Sequence, residues 1–79
     1  MINFDYYGVA QELIFFLEQN GHVEYASNLR SAIEEGSTGT EIFMALRFHL
    51  SLIIEKKILV TEMQRKAELL MDSLNDALK

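Results

Sequence analysis

The chain of 79 residues contains no cysteine and no proline, only two histidines, and 7 basic against 12 acidic residues. Each shortage excludes something. Without cysteine there is no disulfide framework and no thiolate metal site, as suits a reducing compartment. Without proline nothing forces a break in a helix, and the β-branched residues form no alternating, strand-like runs. With His22 and His49 alone, imidazole chemistry has little material. No Glu precedes either histidine at the three-residue spacing of a helical di-iron site, because Leu46 and Gln19 stand there. His-x-x-x-His pairs and Asp-rich calcium loops are lacking as well. We therefore name no catalytic residue, no metal ligand and no cofactor. His49 reads as a hydrogen-bonded core or boundary residue, and His22 as a capping residue at a helix junction, within reach of Glu18.

Long hydrophobic runs are also scarce. Ile42 to Ile54 is the most apolar stretch, with ten of thirteen residues apolar, but Arg47, His49 and Ser51 interrupt it. A helix of that length reaches about 20 Å, short of a hydrocarbon core of ~30 Å. The start, "MINFDYYG", has no Lys or Arg and so lacks the basic beginning of a signal peptide. The expectation is a soluble, cytoplasmic protein of one domain spanning residues 1–79, with a core small enough to need well-formed elements or a partner.

What is present is helical periodicity. Tyr6, Val9, Ala10, Leu13, Phe16 and Leu17 make an apolar stripe over a first helix from about Phe4 to Gln19. Gly8 within it suggests a frayed first turn or close packing. Asn20-Gly21 reads as a helix stop rather than a hairpin turn, since "AQELIFFLEQ" favours helix. A second helix runs from about His22 to Glu35, with Tyr25, Ala26, Leu29, Ala32 and Ile33 inward, and Gly36 ends it. Thr38-Gly39-Thr40-Glu41 fits a capping box that starts a third helix. Apolar residues point all round this helix, which predicts a central element surrounded by the others. A fourth helix starts at Thr61, whose Gln64 suggests a second capping box, and buries Met63, Ala67, Leu70, Leu74 and Ala77 or Leu78. Lys56 to Val60 joins the two, unless helix 3 runs on into it. The fold class is all-α: a compact four-helix domain with a central apolar third helix.

The stretch "GSTGTE", residues 36–41, offers two readings. Its glycines and hydroxyls resemble an anion cradle at a helix start. It lacks the Lys-Ser/Thr ending of a P-loop, and Glu41 puts a negative charge in the first turn. A helix cap fits better. A helix-turn-helix reading would offer DNA the apolar helix "EIFMALRFHL" on an acidic body, which suits no phosphate backbone. Lys56, Lys57, Arg65 and Lys66 cluster near the third connection, where a solvated loop accounts for them.

Charge points instead to a protein partner. Residues 1–55 carry eight acids and two arginines, net −6, and residues 56–79 are net +1. The plain reading is a solvated surface; the functional one is attraction to a basic protein. Phe15 falls on the polar side of helix 1 near Glu12 and Glu18, and Leu69 falls among charged residues of helix 4. An exposed aromatic amid acids is what a contact surface for a basic partner contains. The candidate partner-binding residues are Glu12, Phe15, Glu18, Glu24, Glu34 and Glu35.

The segment "NGHVEYASNLRSAIEEGSTGTEIFMALRFHL", residues 20–50, resembles small bacterial helical proteins of toxin–immunity pairs, including contact-dependent inhibition systems. The features that carry it are the acidic helix "EYASNLRSAIEEG", then "STGTEI", then "MALRFHL". The resemblance implies a cytoplasmic protein that blocks one cognate toxin domain, often a nuclease and hence basic. It assigns no role to any single residue. A different class stays open: a helical homodimer or adaptor, formed if four short helices leave helix 3 uncovered.

Overall fold

The computed structural model describes residues 4–79. Four helices follow one another, α1 (Tyr6–Gln19), α2 (Val23–Glu35), α3 (Gly39–Lys56) and α4 (Thr61–Ala77), and the described residues contain no strand. They pack as a ring: α1 on α2, α2 on α3, α3 on α4, and α4 back on α1. Connections of three or four residues make sequential neighbours antiparallel, as in αα-hairpins. The closing pair agrees: the Tyr6 hydroxyl at the start of α1 donates to the Ser73 carbonyl near the end of α4 (3.5 Å), and Glu12 meets Lys66 nearer its beginning. The radius of gyration is 11.6 Å, which is the value of about 11.6 Å expected for a compact domain of this length.

Each helix contributes to one core: Ala10, Leu13, Ile14 and Leu17 from α1; Ala26, Leu29 and Ala32 from α2; Leu46, Leu50 and Ile53 from α3; Ala67, Leu70 and Leu74 from α4. Ile14 belongs to the α1 stripe, which the sequence pattern drew too narrowly. Alanines at Ala10, Ala26, Ala32 and Ala67 let the helices approach closely, and the leucines interdigitate between them. At one end, the Tyr6 ring stacks on Phe43 with centroids 4.5 Å apart, so side chains bridge α1 and α3 across the ring of helices. Every buried residue in this core is apolar, so it carries no desolvated charge.

The helix ends explain the boundaries. Asp5 caps α1: its carboxylate accepts from the Gly8 N–H at 2.9 Å, so the first turn is capped rather than frayed and the helix starts at Tyr6, not Phe4. At the other end the His22 N–H donates to the Leu17 carbonyl (2.8 Å) and the Gly21 N–H to that of Glu18 (3.4 Å), a Schellman motif. It requires positive φ at Gly21, which has +80°. His22 is the N-cap residue of α2 but forms no side-chain cap bond, and Glu18 turns to Arg30 instead of to it. Gly36 ends α2 in extended conformation, φ −72° and ψ 137°. Its need for glycine is space: a Cβ there would lie 2.4 Å from Cγ1 of Ile42. The Thr38 cap forms, its hydroxyl accepting from the Glu41 N–H at 3.1 Å, but the return bond of a full capping box goes to the residue before the cap. The Glu41 carboxylate accepts in turn from the Ser37 N–H (3.2 Å) and the Thr38 hydroxyl (3.4 Å). The second box does not form. Val60 is the N-cap residue and Thr61 is already helical, so its hydroxyl cannot close the box with Gln64. The Gln64 amide reaches forward to Glu68 at 2.9 Å. Ile58 and Leu59 pack against the core and set the entry of α4.

The central placement of α3 is also corrected. α3 occupies one corner of the ring and buries only Leu46, Leu50 and Ile53, while Met44, Phe48 and Leu52 are exposed. A ring of four has no central helix, so each helix keeps an outward face whatever its composition.

Candidate partner-binding surface

Helical geometry divides the six candidate residues. On α1, Glu12, Phe15 and Glu18 point away from the core, and Phe15 is 63% exposed. Both acids are engaged. Glu18 accepts from the Arg30 guanidinium at 2.5 Å, and Glu12 pairs with the Lys66 ammonium. The bond to Glu12 raises the Lys66 pKa, and the charges of Glu12 and Glu62 add to it against a smaller burial effect. Exposed pairs of this kind are screened by water and contribute little to stability. Their consequence for recognition is larger, because an acid already facing a cation offers less field to a partner. Phe15 therefore lies on α1 between two neutralised acids.

The three acids of α2 are different. Glu24, Glu34 and Glu35 are exposed and enter no ion pair among the described residues. They do not share a face. Arg30 reaches α1, so the α1 side of α2 also holds Glu34, one turn on. Glu24, Asn28, Ser31 and Glu35 recur at spacings of four, three and four on the opposite side, which flanks α3. The six residues thus divide between two sides of the ring.

The side toward α3 has a feature that the sequence pattern hid. Met44 is 52% exposed, Phe48 60% and Leu52 38%. At 100° per residue they lie about opposite the buried face of Leu46, Leu50 and Ile53, and Glu41, Ser51 and Glu55 share their face. Those three polar residues were the available signal: they mark the outward side of the helix, and Met44, Phe48 and Leu52 fall between them. His49 lies between this stripe and the core, half-buried, with its Nδ1 buried and lacking a hydrogen-bond partner. The bonded role expected for it is absent at that atom. Leu69 of α4 is exposed, as its charged neighbours suggested.

Among the described residues no three His, Cys, Asp or Glu side chains gather into a set fit for a metal ion. No helix there is long and apolar enough to cross a membrane. No family model, curated protein or solved structure matches the chain.

Proposed function

We propose that the chain is an immunity protein that binds and neutralises a cognate toxin domain, basic and of nuclease type, by occluding its active or substrate-binding surface. On this reading it has no catalysis of its own and works in the cytoplasm. The observation that carries it is the uncompensated acid of α2. Glu34 and Glu35 end that helix, where the macrodipole is negative, and no basic residue stands in the last turn to offset them. Acids at that position cost about 0.3–1 kcal/mol each. Charge kept against local stability is expected where it serves a contact. A nuclease presents a basic cleft, and an acidic helical face can occupy it in place of the polyanion. The resemblance of residues 20–50 to toxin–immunity proteins supports the same assignment.

A homodimeric adaptor is the second reading, favoured by the exposed apolar residues of α3. Light scattering separates the two: the adaptor requires twice the mass of the 9.1 kDa chain. The test of the immunity reading is co-expression with the coding sequence immediately upstream. Growth arrest by that product alone, relieved by this chain, supports it. Arrest without relief, or no arrest, rejects it.

A further inference from the structure

We infer that Met44, Phe48 and Leu52 seat an apolar, Lys/Arg-flanked helical segment of the partner; the inference deepens the immunity reading and rests on it. The three side chains repeat every four residues along α3, a run of about 12 Å or two turns. That is the spacing at which a docking helix presents its own i, i+4 and i+7 anchors. Together they leave on the order of 300 Å² of apolar surface in water, within the range of the largest patch on a typical monomer, which is often functional.

Charge selects the occupant. Glu41 and Glu55 lie on the same outward face at its two ends, and Glu24 and Glu35 of α2 border one side. No Lys or Arg falls on that face between Glu41 and Glu55; Lys56 and Lys57 follow its C-terminal end, and Arg47 is turned to Asn75 of α4. A second copy fits badly. Antiparallel pairing of two stripes sets Glu41 against Glu55 twice, and parallel pairing sets each against itself. Nucleic acid and anionic lipid are repelled by the same acids. A segment with apolar anchors and basic flanks satisfies both the stripe and its border.

The test uses the isotope-labelled chain and two synthetic amphipathic helices of two heptads, one of Leu and Lys and one of Leu and Glu, followed by amide chemical shifts. The Leu/Lys peptide is expected to shift Met44, Phe48, Ser51, Leu52 and Glu55 with Glu24 and Glu35, and the Leu/Glu peptide to shift nothing. Phe48→Ser, at an exposed position that leaves the fold intact, is expected to weaken Leu/Lys binding on the order of tenfold, which corresponds to ~1.4 kcal/mol. Leu69→Ser, at an exposed position on α4, is expected to leave it unchanged. Shifts centred on Phe15 or Leu69, equal response to both peptides, or stripe shifts that appear on concentrating the chain alone would overturn the inference. The immunity reading fails separately: growth protection that survives Phe48→Ser removes the stripe and keeps the toxin, and stripe binding without protection by the native chain does the reverse.

Discussion

Leu50→Ala and Phe48→Ala, two residues apart on α3, are expected to differ sharply in cost. Leu50 is 0% exposed and lies between α2 and α4, whereas Phe48 is 60% exposed on the outward face. Shortening Leu50 removes transfer energy of about 0.8 kcal/mol per methylene and leaves a cavity that the ring closes only in part. The total is about 2–5 kcal/mol. Phe48 buries less than half its surface, and its loss opens no enclosed cavity, so about 1 kcal/mol or less is expected. A domain of this length holds roughly 4–12 kcal/mol in all, so the first change removes a large share and the second a small one. Urea unfolding followed by circular dichroism measures both. With a slope of ~1 kcal/mol/M, Leu50→Ala lowers the midpoint by about 2 M or more, and Phe48→Ala by less than about 1 M. Equal losses would refute the division of α3 into buried and outward faces.

Three further outcomes follow from the helix ends and the ion pairs. Gly21→Ala is expected to cost about 1–2 kcal/mol in the same assay, purely from the left-handed backbone, since no atom lies within 4 Å of the added Cβ. Glu34→Lys and Glu35→Lys are expected to stabilise the free chain by about 0.3–1 kcal/mol each, by reversing charge at the C-terminus of α2, and yet to slow association with a basic partner. The Glu12 hydrogen bond raises the Lys66 pKa in the folded chain. Its contribution to stability is complete below the ordinary lysine value of 10.5 and is lost as pH rises through the folded value. Glu12→Gln is expected to lower the Lys66 pKa, read by nuclear magnetic resonance titration of the side chain; an unchanged value would contradict the pairing.

The helices were legible because their signals are local. Periodicity marked all four, Asn20-Gly21 marked the end of α1, and Thr38 with Glu41 marked the start of α3. The second capping box failed because Thr61 met the local pattern while the packing of Ile58 and Leu59 set where α4 begins. The placement of α3 failed because apolar content measures how much a helix could bury, not how much its neighbours cover. Only the ring closure, with α4 against α1, leaves Met44, Phe48 and Leu52 outward. The candidate surface was legible as charge but not as geometry. Glu12 and Glu18 look free in the sequence, and their neutralising partners Lys66 and Arg30 lie 54 and 12 residues away. No short-range pattern announces such pairs.

The association rate of the chain with the product of the coding sequence immediately upstream, taken across a salt series, tests the proposed attraction to a basic partner. The Debye length falls from ~10 Å at 0.1 M to ~3 Å at 1 M, so attraction between an acidic face and a basic cleft weakens over that range. The on-rate is expected to fall steadily with salt, and to fall less steeply for the doubly reversed Glu34→Lys, Glu35→Lys chain. An on-rate indifferent to both salt and charge reversal would contradict it.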